Sequence, residues 1–340
     1  MRILVTGHDG YIGSVMIPLL LQAGFEVTGL DTNLFHACTF GSEPPVIPAI
    51  RKDLRDVTPA DLDGFDAIIH LAALSNDPLG NLNPDLTYDI NHRGSIHLAQ
   101  MAREANVKRF LFSSSCSTYG AAGEEILDEH ATFNPVTPYG KSKCLVEQDL
   151  AGLATADFSP VYLRNATAYG VSARMRFDLV LNNLVAWAFT TGQVYIKSDG
   201  SPWRPIIHIE DISRAFVAVL NAPRDTIHNQ AFNVGRSTEN YQVRDLAEIV
   251  RQTVPGCHVE YAPGGEPDKR SYRVNFDKIT HCLPDFHPQW DANKGAQELY
   301  QTYQQIGLTL DDFEGKRFRR IDHITSLLDS GQLDETLRWK

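Results

Sequence analysis

Tyr139 and Lys143 stand four residues apart in Tyr139-Gly140-Lys141-Ser142-Lys143, directly after Pro138. On a helix that spacing puts both side chains on one face. A phenol with a pKa near ~10 is a poor base at neutrality, but a neighbouring ammonium stabilises its phenolate. Such a pair can take the proton from a sugar or alcohol hydroxyl. Upstream, the stretch FLFSSSCSTYG at 110–120 ends an apolar run. Its hydroxyls would emerge at the carboxyl end of a buried strand, with Ser115 orienting the alcohol.

An alcohol that loses a proton also needs an acceptor for its hydride, and the N-terminal stretch supplies a place for one. Gly7, Gly10 and Gly13 lie three residues apart in TGHDGYIG, after the β-formers at 3–6 and before an apolar helical pattern. Glycine permits a tight turn, lets backbone amides approach a pyrophosphate, and lets the helix pack on the strand. The helix N-terminus adds unpaired N–H groups and a positive dipole end. Asp31, 18 residues beyond Gly13, stands close to the ~20 expected for an acid that bonds the adenosine ribose hydroxyls. A carboxylate there favours NAD over NADP; the plainer alternative is that Asp31 opens a turn.

These groups need a scaffold, and the first half of the chain alternates strand and helix. Strands are expected at Ile3–Thr6, Glu26–Leu30, Ala67–Leu71, Arg109–Ser113 and Val161–Arg164. Helices are expected at about Tyr11–Ala23, Pro84–Asn106 and Tyr139–Ala156, with Gly24 stopping the first. Such alternation, with strands apolar on both faces, argues for a doubly wound parallel sheet of the Rossmann type. Beyond residue 165 helical stretches at Phe177–Thr191, Ile209–Leu220 and Val243–Gln252 are separated by turns such as SDGSPW and PGGEPDK. A cofactor-binding lobe at 1–170, to which later segments return, and a smaller α/β lobe at 171–340 follow from that change. The last 40 residues are expected to be helical.

The chain has 340 residues, 43% of them hydrophobic, and a formal net charge of −11. That supports a large core, and without a basic stripe nucleic acid is not an expected partner. The basic run Lys316–Arg320 reads as a solvated helix face. Five cysteines without a CxxC pair indicate neither a disulfide framework nor a zinc site. A strand beginning at Arg2 leaves no room for a signal peptide, and no apolar run approaches a membrane span. The expected setting is cytoplasmic, with no membrane partner and no metal.

TGHDGYIG, Asp31, Asp53-Leu54, HLAA at His70–Ala73, SSSCSTYG, YGKSK, LRNATAYG at Leu163–Gly170 and RPIIHIEDI at Arg204–Ile212 together resemble one family. It is the extended short-chain dehydrogenase/reductases of the NAD-dependent nucleotide-sugar epimerase and dehydratase kind, and the likeness spans nearly the whole chain. The resemblance implies bound NAD, a nucleotide-diphosphate sugar as substrate, and a homodimer formed through helices near 84–105 and 139–156. It implies Ser115, Tyr139 and Lys143 as catalytic residues. The cofactor residues it implies are Gly7, Gly10, Tyr11, Ile12, Gly13, Asp31, Asn33, Asp53, Leu54, Leu71, Ala72, Ala73, Asn91, Ser113, Tyr139, Lys143 and Asn165. The substrate residues are Ser75, Asn76, Ser117, Thr167, Asn183, Arg204 and Arg270. An arginine suits a diphosphate because its planar fork bonds two oxygens at once; a surface ion pair is the plainer reading of Arg204.

The chain also departs from that family. Dehydratases carry an Asp-Glu pair after the hydroxyl residue, where this chain has Cys116 and Ser117, so epimerisation is favoured over dehydration. Cys116 reads either as an acid/base for a carbon beside a transient ketone or as a small buried residue. Thr167 replaces the usual phosphate-side asparagine and Gly265 an arginine, leaving Arg270 and Arg273 to supply charge. Ser75, Asn76 and Asp77 suit sugar hydroxyls or a turn and helix cap equally. An NAD(P)-dependent keto-sugar reductase and a non-catalytic NAD-binding protein remain the competing readings.

Overall fold

The computed structural model describes residues 1–75, 83–264 and 270–340. Fourteen strands are found among them: β1 Arg2–Thr6, β2 Glu26–Asp31, β3 Ala49–Arg51, β4 Ala67–His70, β5 Arg109–Ser115, β6 Ala121–Leu127, β7 Ser159–Asn165, β8 Thr167–Tyr169, β9 Gln193–Ile196, β10 Trp203–His208, β11 Gln230–Val234, β12 Asn240–Gln242, β13 His258–Tyr261 and β14 Ser271–Val274. Seven of them form one sheet in the order β11-β7-β5-β4-β1-β2-β3, and every adjacent pair is parallel. The seventh strand, β11, is drawn from residues 230–234, well beyond the cofactor half of the sequence.

The sheet is apolar on both faces because helices cover both. Ile3 and Val5 of β1 pack with Met16, Leu20, Phe216 and Val219 from helices Gly13–Gln22 and Ile209–Asn221. Leu4, one residue between them, turns the other way onto Leu98, Ala102, Val146 and Leu150 of helices Gly94–Glu104 and Pro138–Ala151. This period of two is the signature of a doubly wound sheet. The chain runs outward from β1 to β2 and β3, then returns to β4 on the other side of β1. Their carboxyl ends therefore part at a topological switch point, where such sheets bind ligands.

A second core joins helices Val180–Thr191, Val243–Thr253 and Ala292–Ile306. Alongside lie a three-stranded sheet, β12-β10-β8, and the pairs β13-β9 and β14-β6.

Two expectations need correction. The single helix expected at 84–106 is Pro84–Tyr88, a wide π-type turn at Asp89–Arg93, and then Gly94–Glu104. The widened turn aims Asn91 inward, where its amide bonds both the N–H and the carbonyl of Leu74 at 2.7 and 3.0 Å. The last 40 residues are helical only to Asp329. Gly331, at φ +71°, ends that segment, and the tail bends back through a bridge between Leu333 and Trp339.

Candidate active site

The glycine turn excludes side chains first of all because its own backbone fills the space. A Cβ on Gly7, which sits at φ +75°, would lie 2.7 Å from the Ala72 nitrogen; one on Gly13 would lie 2.4 Å from the Gly7 oxygen. The turn is held by Gly7 N–H donating to Leu30 at 2.8 Å and Gly10 N–H to Gly7 at 3.1 Å. Asp9 anchors it from outside, accepting from Asn33 at 3.0 Å and pairing with Arg174 at 2.7 Å. Above this cradle opens a cavity of about 970 Å³.

Gly7, Gly10, Tyr11, Ile12, Gly13, Asp31, Asp53, Leu54, Leu71, Ala72, Ala73, Ser113, Ser115, Ser117, Tyr139, Lys143, Asn165, Thr167, Ser75, Asn183, Arg204 and Arg270 all line it. Asp31 accepts from the backbone N–H of Asn33 at 2.8 Å and of Asp9 at 3.2 Å, while burial raises its carboxyl above the usual range. Asp53 spends its carboxylate on Arg55, at 2.7 Å.

The reactive wall is built by β5 and the helix Pro138–Ala151. Thr137 caps that helix by accepting from Gly140 N–H at 3.1 Å, and Pro138 takes its first turn. Lys143, one helical turn on, is buried and donates to the Ser113 carbonyl at 2.7 Å. Its ammonium lies 5.6 Å from the centre of the Tyr139 ring and 4.5 Å from that of Phe112. Burial pushes Lys143 down to about 7, with Glu147 opposing the shift. Glu147 is itself locked to Arg164 of β7 at 2.7 Å and accepts from Ser114, which fixes the helix against the strand carrying Ser115. Ser115 Oγ accepts from Ser117 N–H at 3.1 Å.

Two polar atoms in this wall, Ser117 Oγ and Asn165 Oδ1, are buried with no partner among the described residues, although Asn165 donates to Ser113 Oγ at 3.0 Å. Buried polar groups are rarely left so unless a ligand supplies the bond. With the glycine cradle and Asp31, they fit a dinucleotide.

Four expected residues stand elsewhere. Cys116 is fully buried in the core beneath the wall, its thiol donating to the Arg164 carbonyl at 3.1 Å. Burial pushes the thiol far up, and it does not line the cavity. Asn33, at φ 60°, does not line the cavity; it braces Asp9. Asn91 positions Leu74 instead of facing the cofactor space. Asn76, like Asp77 and Gly265, lies outside the described residues. Arg273 stacks over Trp203 and is not part of the cavity wall. His70 is a core residue, bridging Thr6 and Ser95 at 2.7 Å each; burial drives it down to about 3, so it stays neutral.

Sequence reasoning missed Arg176, Asp178, Arg320 and Leu337, all of which line the cavity. Arg176 pairs with Asp178 at 2.7 Å and holds Ser75 through its hydroxyl and carbonyl, each at 3.1 Å. The spacing Arg176-Phe-Asp178 just before Asn183 was the available signal. Arg320 and Phe318 are buried, so the run Lys316–Arg320 is not a wholly solvated face.

A glycine cradle at the switch point of a doubly wound sheet, with a Tyr–Lys pair lining the same cavity, is the site of a dinucleotide-binding protein. Residues 3–235 match the NAD dependent epimerase/dehydratase family, and the chain belongs to that family; its cofactor is NAD. It is 29% identical over 294 residues to a UDP-glucose 4-epimerase of Lactobacillus helveticus, covering 79% of this chain and 87% of the relative. A UDP-glucose 4-epimerase of Bacillus subtilis (strain 168) is 29% identical over 331 residues, covering 88% and 94%. Among solved structures, a Thermotoga maritima UDP-glucose 4-epimerase with UDP-glucose superposes with a TM-score of 0.78 at 22% identity, covering 91% of this chain and all of that one. A dTDP-glucose 4,6-dehydratase from Streptomyces venezuelae does so at 0.76 and 24%, covering 90% and 97%. These superpositions establish the shared fold. Among the described residues, no helix is long and apolar enough to cross a membrane.

Proposed function

We propose that the protein is an NAD-dependent nucleotide-sugar epimerase. The observation that carries this reading is one cavity whose wall brings Ser115, Tyr139 and Lys143 together and runs on to Asn183, Arg204 and Arg270. The two positions after Ser115 hold a core thiol and a hydroxyl, neither suited to expel water from a sugar, which favours epimerisation over dehydration. The division of labour is that 1–170 holds the cofactor and 171–340 mainly the substrate.

Tyr139 takes the proton of a sugar hydroxyl on its phenolic oxygen, and Ser115 Oγ holds that hydroxyl in place. Lys143, anchored on Ser113, supplies in its protonated form the positive field that lets the phenol ionise. Bound NAD would supply the acceptor for the carbinol hydride and the hydride for its return. Tyr139 then gives the proton back, so the residues end as they began. Thr167, Asn183, Arg204 and Arg270 line the same cavity, and such donors suit a nucleoside diphosphate.

The test is a panel of nucleotide sugars followed by proton NMR, with the absorbance of reduced nicotinamide recorded in parallel. Appearance of an epimer without net cofactor reduction is expected. Stoichiometric consumption or formation of reduced cofactor would show a net oxidoreductase instead. We also propose a homodimer through the adjoining helices Gly94–Glu104 and Pro138–Ala151, the second of which exposes Leu145; light scattering on the purified chain reads the mass directly.

A further inference from the structure

The end of the chain folds back onto the cofactor half. Trp339 Nε1 donates to the Thr32 carbonyl at 2.6 Å, Arg338 reaches Asp56 at 2.8 Å, and Arg55 donates to the Thr336 carbonyl at 2.9 Å. The helix Arg320–Asp329 is tied down as well, with His323 Nε2 2.9 Å from the Leu34 carbonyl. This fold-back delivers Arg320 to the wall of the cavity.

Arg320 is a buried cation, 8% exposed, with no carboxylate within ion-pair distance among the described residues. Its guanidinium carbon lies 3.7 Å from the centre of the Phe35 ring. One nitrogen donates to the Arg174 carbonyl at 3.1 Å, and Arg174 is the residue that grips Asp9 of the glycine turn. Arg320 lies within electrostatic reach of Asp31, Arg176 and Asp178. Asp31, Arg176, Tyr139 and Arg320 all line the one cavity. A buried charge is costly unless something pairs with it; burial accordingly lowers Arg320, to about 10. The stacking on Phe35 and the bond to Arg174 hold the fork still without neutralising it.

We propose that Arg320 is a cofactor-binding residue that takes the diphosphate of NAD, so that the C-terminal segment completes the dinucleotide site. The inference rests on NAD occupying the cavity between Asp31 and Tyr139. A planar fork bonds two phosphate oxygens at once, and the glycine turn offers amides but no lysine or arginine of its own.

The full-length chain, freed of nucleotide, is titrated calorimetrically with NAD, ADP-ribose, adenosine and uridine diphosphate, as wild type and as Arg320→Gln and Arg320→Lys. The Gln variant should lose at least about 30-fold in affinity for NAD and ADP-ribose alike, as when one partner of a buried charge pair is removed. Adenosine and uridine diphosphate should bind as before, and the Lys variant should recover part of the loss. Unchanged NAD affinity in Arg320→Gln overturns the inference. Equal losses for adenosine overturn it too, because the residue would then act only by shaping the pocket. Loss confined to uridine diphosphate would assign the arginine to the substrate instead and overturn it likewise. Should the Gln variant fail to fold, ADP-ribose affinity of the Lys variant, expected below wild type with adenosine unaltered, decides the question. A wild-type chain that binds none of the adenine nucleotides would refute the cofactor reading itself.

Discussion

At the scale of single residues, the chemistry turns on a buried amine. Lys143 titrates at about 7 in the folded protein, against ~10.4 for a free lysine. Between those values the unfolded chain holds a proton that the native chain has shed, so native stability rises with pH. The penalty is fully present below about 7 and fades above it. A Lys143→Met variant lacks it, so in thermal melts of the ligand-free protein the wild type should gain on the variant between pH 7 and 9. A constant gap would show that Lys143 is not held in this state. Tyr139→Phe deletes one oxygen and leaves the ring packing; NAD affinity should persist while turnover falls by about 10²–10⁴-fold, the usual range for losing a general base. A fall in NAD affinity of the same size would move Tyr139 from chemistry to binding. Cys116→Ala, by contrast, should leave the turnover rate near wild type, since the thiol bonds a backbone carbonyl in the core.

At the scale of elements, the strand–turn–helix unit around the three glycines was legible because its constraint is local. Backbone atoms within a few residues, joined by Ala72, occupy the space a Cβ would need. Gly13→Ala must displace the oxygens of Gly7 and His8 or push the helix from the strand. A loss of NAD binding and a lowered melting temperature together are expected, read by calorimetry on one sample. The helix expected at 84–106 was misread for the opposite reason. Its wide turn is stabilised by distant partners, Leu74 on Asn91 and Arg55 on Asp89, which no window of sequence contains. The Tyr–Lys spacing was readable from one helical turn. Arg320 was not, because its burial depends on a tail packing nearly 300 residues from the strand it meets.

At the scale of the whole molecule, one cavity draws its lining from both halves of the chain. Residue types disclosed the alternating parallel architecture, since two-sided apolar strands have few other homes. Which strands of the second half pair with which was hidden, because short strands such as Thr167–Tyr169 and Asn240–Gln242 carry little pattern. The sheet closes late: β7 has β5 on one side, and its other edge is covered by a strand at residues 230–234. On the ribosome, then, that apolar strand must wait with bare amides until some seventy further residues have emerged, unguarded against other chains. A product stopped at residue 170 should precipitate on expression, whereas the full chain should stay dispersed; a clear lysate from the short product would mean that the waiting edge is harmless.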